Sequence, residues 1–132
     1  MANLNWVVDD QICEAVFARC QPQLTDHIGG APSLGLNARF RFYRYQAGDY
    51  FKPHTDGSWP GSRAVDGRLQ ADAFGDRRSQ LTFLLFLSDD FEGGHTRFYP
   101  DGLEGEAFSV GTPLAASYTH PTLPTICRLV TL

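Results

Sequence analysis

The chain has few cysteines, no long apolar run and no excess of positive charge. Each shortage excludes something. Its 132 residues contain three cysteines, Cys13, Cys20 and Cys127. Cys13 and Cys20 fall seven residues apart on a predicted helix, a rise of about 10 Å, too far for a disulfide. An odd count without a framework of spacings argues for reduced thiols and a cytoplasmic or nuclear location. The apolar stretch near the start, Trp6 to Val8, runs at once into Asp9 and Asp10. It does not read as a signal peptide, and no segment reaches the length of about 20 residues that crosses a bilayer. Eleven basic against fifteen acidic residues give a net charge of −4. No general surface for nucleic acid or for an anionic membrane is expected from that balance. Internal repeats and low-complexity tracts are absent too.

What is present is a globular composition. The chain is 42% hydrophobic and 13% aromatic, which excludes a disordered chain. Its length suits one domain, residues 1–132, with a core of its own. Thirteen glycines and eight prolines point to many turns and a mainly β fold.

In order, Asn3 to Val8 reads as a short strand. Asp9 or Asp10 is an N-cap for a helix whose Ile12, Cys13, Val16, Phe17 and Cys20 make one apolar stripe. A second short helical turn is expected over Gln23 to Ile28, with His27 at the surface, and Gly29 to Pro32 is a loop. Residues 1–36 are thus a helical flank. Arg39 to Tyr45 alternates, with Arg39, Arg41, Tyr43 and Tyr45 on one face and Phe40, Phe42 and Arg44 on the other. Two Arg and two Tyr on one face can bind an acidic ligand; otherwise they are a solvated face. Gly57 to Gly75 is expected to be a mobile surface lid or binding loop. Ser79 to Ser88 is nearly continuously apolar, a strand buried on both faces. Gly93-Gly94 bends it into a hairpin with His95 to Tyr99. Residues 37–99 then hold the candidate site, and 100–132 form a less regular segment with short strands at Ala107 to Val110 and Ile126 to Leu132.

The chemistry centres on His54 and Asp56. In extended chain, residues i and i+2 point the same way, so an imidazole and a carboxylate can hold one cation from one side. Two His and one carboxylate on one face form the ligand set of non-haem Fe(II) oxygenases. The plain alternative is a loop histidine hydrogen-bonded to a nearby aspartate.

Together these segments resemble the 2-oxoglutarate- and Fe(II)-dependent dioxygenases, specifically the prolyl 4-hydroxylase-like branch. The resemblance lies in Asn37-x-Arg39-Phe40-Arg41-Phe42-Tyr43-Arg44-Tyr45-x-x-Gly48, in His54-x-Asp56-Gly57, in Gln80 to Leu87, and in Phe91-Glu92-Gly93-Gly94-x-Thr96-x-Phe98. It covers Asn3 to Tyr99, about three-quarters of the chain, and the combination is more specific than any one piece. It implies a double-stranded β-helix (jelly roll) with a flanking N-terminal helix. It also implies Fe(II), 2-oxoglutarate and O2, with ascorbate as a further candidate cofactor, and a protein or peptide substrate hydroxylated on a side chain, a prolyl residue foremost. His54 and Asp56 would be iron ligands, Tyr45 and Thr96 would help to hold 2-oxoglutarate, and the Gly57 to Gly75 loop would read the substrate.

After Tyr99 the resemblance fades. The family's distal His-x-Gly and following Gly-x-Lys or Gly-x-Arg are not found. Three readings stay open: His120 is the third ligand with Arg128 as partner of the cosubstrate's far carboxylate; His95 is the ligand; or there is no third ligand and the jelly roll lacks its closing strand. The last would leave a catalytically inactive relic or a binding module with an incomplete metal site. A nucleic-acid demethylase of the same chemistry fits the acidic balance less well, and no residue near the pair stands out as the general base of a hydrolase.

Overall fold

A computed structural model describes residues 1–24, 27, 28, 30–88 and 91–110, and the backbone of 125–131. It is mainly β, built of small antiparallel sheets, with one N-terminal helix. Strand β1 (Ala2–Val7) leads into helix α1 (Asp10–Cys20). Asp9 is the N-cap: its Oδ1 accepts the Ile12 N–H at 3.0 Å, satisfying one of the orphan donors of the first turn. A single 3-10 turn, Gln21–Gln23, follows.

The next residues depart from the helical turn expected over Gln23 to Ile28. His27–Ile28 (β2) is extended and pairs with Ala31–Pro32 (β3). Pro22 lies in the 3-10 turn, and a proline ring so close to the helix end does not let α-helix continue. His27 is exposed, as expected. The first 36 residues are therefore not purely helical, and β1 belongs to the main sheet.

That sheet has four strands in the order β1, β4 (Arg39–Arg44), β10 (Thr125–Thr131), β7 (Leu81–Phe86). All three pairings are antiparallel. The last strand is thus present and sits inside the sheet, hydrogen-bonded on both sides. Among the described residues no closed barrel forms. No helix among them is long and apolar enough to cross a membrane.

The alternation along β4 does what the sequence predicted. Phe40 is buried against Val8, Cys13, Leu36 and Ala38, with Ile12, Val16, Phe17, Phe42 and Phe83 packed around this cluster. Trp6, the register partner of Phe40, lies edge-on to it at 6.2 Å between ring centroids. Val8 donates its N–H to Ala38 O at 2.8 Å. The core therefore lies between α1 and one face of the sheet.

Gly57 to Gly75 is not the strandless loop expected. Arg63–Val65 (β5) and Arg68–Gln70 (β6) form a hairpin, and its Leu69 packs on the core. The bend is Asp66-Gly67 with φ of 50° and 72°, the positive values that a two-residue hairpin turn demands. Ser62, buried, donates its N–H to Asn37 Oδ1 at 2.8 Å, and its Oγ accepts from Ala38 N at 3.3 Å. Arg63 is paired with Asp10 at the start of α1. These contacts fasten the segment to the core.

Two expectations for β7 fail. It is not buried on both faces: Leu84 and Leu85 are 38% and 43% exposed, and Phe83 is its residue that reaches the core. Nor does it form a hairpin with the next strand. Thr96–Phe98 (β8) pairs instead with Phe108–Val110 (β9), while β7 takes β10 as its partner. Glycines can permit a bend, but which strands pair is decided by contacts distant in sequence.

Two stability predictions follow from the helix. Asp9→Ala should lower stability by about 1 kcal/mol, read as a lower urea midpoint with unchanged slope. Burial, and then the carboxylates of Asp10, Asp9 and Glu14, push the Cys13 thiol up to about 11 from 9.0. Its stabilising contribution is complete below pH 9 and is lost as pH rises towards 11, because the unfolded chain ionises first. Urea titrations at pH 8 and pH 10 should show a fall in stability that is smaller in Cys13→Ala.

Candidate metal centre

β4 delivers the chain to the site. Past Arg44 it turns at Gln46 to Asp49, where Asp49 N–H donates to Gln46 O at 2.8 Å and Gly48 adopts φ 83°. The Asp49 carboxylate accepts the Gln46 N–H at 2.8 Å and lies 2.6 Å from the Met1 ammonium. The ammonium first, and the Gln46 amide second, hold its carboxyl below its ordinary value. The start of β1 and the approach to the site are thereby tied together.

Residues 50–59 then run without regular secondary structure, held by side chains. The Phe51 ring lies 4.4 Å from the His54 ring and meets Tyr43 edge-on at 5.8 Å; Tyr43 neighbours Tyr45 at 6.5 Å. This aromatic series runs from the buried Tyr43 of β4 to the imidazole, so the strand sets the position of the ring. Tyr45 is half-buried at its far end.

His54 Nδ1 lies 2.8 Å from Lys52 O. A carbonyl only accepts, so Nδ1 carries the proton. In the neutral ring the lone pair is then on Nε2. Nε2 stands 3.4 Å from Asp56 Oδ1. The i, i+2 spacing therefore brings the two groups together as the sequence predicted. Asp56 is oriented from the sheet: Thr82 Oγ1 donates to its Oδ2 at 2.6 Å. One carboxylate oxygen is held by β7, and the other faces the imidazole.

A lone pair set against a carboxylate oxygen is repulsive unless a positive charge lies between them. A proton on Nε2 would supply it, and so would a metal ion. The 3.4 Å gap lets both atoms reach one cation at about 2.1 Å. Both side chains are about two-fifths exposed, so the pair is open to a ligand. Beyond Asp56 the chain is fastened along the start of β7. Ser58 Oγ donates to Ser79 O at 2.9 Å, and Trp59 N–H donates to Ser79 Oγ at 2.8 Å. An open cleft of about 190 Å³ lies here, lined by Asp56, Ser58, Gln80 and Thr82 among others.

The remaining predicted residues are placed as follows. Thr96 is in the separate β8–β9 ribbon, paired with Val110. Arg128 is in β10, across from Arg41 on one side and Leu84 on the other, two residues along β7 from Thr82. His95 is exposed, and no third His, Cys, Asp or Glu joins His54 and Asp56 among the described residues. His120 lies outside the described residues.

Sequence reasoning missed Thr82 and the Lys52 carbonyl. Thr82 had a signal: it is the one polar side chain between Leu81 and Leu87, a hydroxyl in an apolar strand. Nothing local marked Asp56 as its partner.

Residues that orient a ligand carboxylate change metal affinity by about ten- to a hundredfold when removed. Thr82→Val should accordingly weaken Mn(II) binding by that order in calorimetric titration, with the circular dichroism spectrum unchanged. Equal affinity in the variant would show that Asp56 needs no such support. Comparison with known protein families, curated proteins and solved structures finds no match to this chain.

Proposed function

We propose that this chain is an Fe(II)- and 2-oxoglutarate-dependent dioxygenase that hydroxylates a side chain of a protein or peptide, with prolyl residues the first candidates. One observation carries the reading: a histidine whose Nδ1 proton is committed to a backbone carbonyl turns Nε2 towards a carboxylate that β7 holds in place. A neutral imidazole and a carboxylate suit Fe(II), and the set needs a second imidazole to become the facial triad. His120 is assigned that place, 66 residues after His54.

The metal and cosubstrate, when bound, would supply oxidative hydroxylation of an unactivated C–H bond by O2, one oxygen atom going to the product alcohol and the other to succinate as 2-oxoglutarate loses CO2. The chain's own part is to bind and orient. His54 and Asp56 present their lone pairs together, and Phe51 covers one side of the imidazole against water. Tyr45 and Thr96 are assigned to the cosubstrate. Arg128 is assigned to its far carboxylate, and the register of β10 supports this by placing Arg128 near the row of Thr82. The same reading takes the four-stranded sheet as one wall of a jelly roll. A last strand returning from far along the chain to lie beside earlier ones is the connection that Greek-key sheets use.

The test is an anaerobic Fe(II) titration with 2-oxoglutarate, following the weak visible charge-transfer band of the chelate. The band should form in the wild-type protein and be lost in His120→Ala, and aerobic turnover on prolyl peptides should yield succinate only with Fe(II). A folded protein that forms no band has an incomplete site. Catalysis would then be abandoned for the alternative reading, a partner-binding module.

A further inference from the structure

Strand β1 ends the main sheet on one side, and among the described residues no strand pairs with its outer edge. It is exposed along nearly its whole length, only Val7 being half-buried. Proteins blunt such an edge with charge, proline or a bulge, because its unpaired amides and carbonyls can take up another strand. β1 has none of these. It reads Ala2-Asn3-Leu4-Asn5-Trp6-Val7, uncharged and without proline or glycine, and it pairs with β4 in unbroken register.

Val8 shows which residues bond outward. It sends its N–H across the β1–β4 ladder to Ala38 O. In an antiparallel pair the N–H and C=O of one residue point the same way, and the direction alternates along the strand. Ala2, Leu4 and Trp6 therefore bond towards β4, while Asn3, Asn5 and Val7 offer N–H and C=O at the open edge. The side chains divide in the same way. Trp6 lies against Phe40 and Phe42 on the face that α1 covers, and Leu4 shares that face. The cover is incomplete there: Leu4 is 64% and Trp6 44% exposed.

These features select a partner. An antiparallel strand that satisfies Asn3, Asn5 and Val7 must offer alternate residues in turn and continue the apolar face. A second copy of β1 does both. With Asn5 opposite Asn5 of the second copy, Asn3 bonds with Val7, and each Leu4 faces a Trp6 on the α1 side. Charge permits this pairing. A two-fold axis sets residues near it against themselves, so a charge there would meet its like. β1 carries none, whereas β4 beside it carries Arg39, Arg41 and Arg44. Size sets the strength: one pair of six-residue strands falls at the low end of specific interfaces, below about 1,200 Å².

We propose that β1 is a self-association edge: two copies of this chain pair β1 with β1, antiparallel about a two-fold axis at Asn5, and join their four-stranded sheets into one continuous sheet. The dimer is weak and concentration-dependent, and it does not depend on the dioxygenase reading.

Sedimentation equilibrium of the full chain should show monomer passing to dimer with a Kd between about 1 μM and 1 mM, the weak range that a small interface gives. Leu4→Lys should raise that Kd at least about tenfold, since it removes two cross-strand apolar pairs at once. Its circular dichroism should not change, because Leu4 is mostly exposed. Asn5→Cys sets two thiols opposite each other within disulfide reach, so mild oxidation should link it as a dimer. Leu4→Cys, which faces Trp6 instead, should not link. A wild-type chain still monomeric at about 1 mM, the weak end of that range, overturns the proposal and leaves the edge to a foreign strand. A dimer equally tight in Leu4→Lys, or one that Asn5→Cys does not link, lies on another surface and overturns it too. Species larger than a dimer do the same, because the two-fold pairing uses up the edge. If Leu4→Lys does not fold, the two cysteine variants decide.

Discussion

The pleat of β4 is the constraint on which the rest depends. A strand sends successive side chains to opposite faces, and β4 uses both. Phe40 and Phe42 go into the core beneath α1, while Tyr43 begins the aromatic series that reaches His54. A slip of one residue in its pairing would exchange the two sets, putting arginines into the core and phenylalanines at the site. The burial of Phe40 at 4% exposure therefore fixes the register by which the site is positioned. Core and site are here two consequences of one alternation.

The site itself is organised by commitments made elsewhere. Lys52 O fixes the proton on Nδ1, Phe51 fixes the plane of the ring, and Thr82 fixes one carboxylate oxygen. What these commitments set face to face, 3.4 Å apart, are Nε2 of the imidazole and Oδ1 of Asp56. Because the segment bearing them lacks regular secondary structure, its order comes from side chains that reach the sheet, and from the Ser58, Trp59 and Ser79 bonds that follow. The site is exposed but not loose.

How much of this was legible in the sequence depended on the distance over which each signal acts. The Asp9 cap, the α1 stripe, the alternation of β4 and the i, i+2 relation of His54 to Asp56 are all local, and the structure has them as expected. The β5–β6 hairpin was legible too, since Asp66-Gly67 lies between Arg63-Ala64-Val65 and Arg68-Leu69-Gln70. The charge and small residues around it masked a strong turn signal. The pairing of β7 with β10 rather than β8, and the bond from Thr82 to Asp56, leave no periodic trace, because they join elements distant in the chain. The exposure of Leu84 and Leu85 was misread for a related reason: an apolar run records what a strand could bury, not what layer arrives to cover it.

The place of β10 has one more consequence. Its partners in β4 lie more than eighty positions back in the chain, so this ladder is among the slowest parts of the molecule to form, since distant ends must meet before any bond rewards them. The core of α1, β1 and β4 needs no such meeting and can condense first. At that stage β4 and β7 each present an open edge, and a matching strand from a second molecule would fit the gap as well as the chain's own. A chain whose core condensed before this ladder closed would expose both edges, and at high concentration that favours strand exchange between copies.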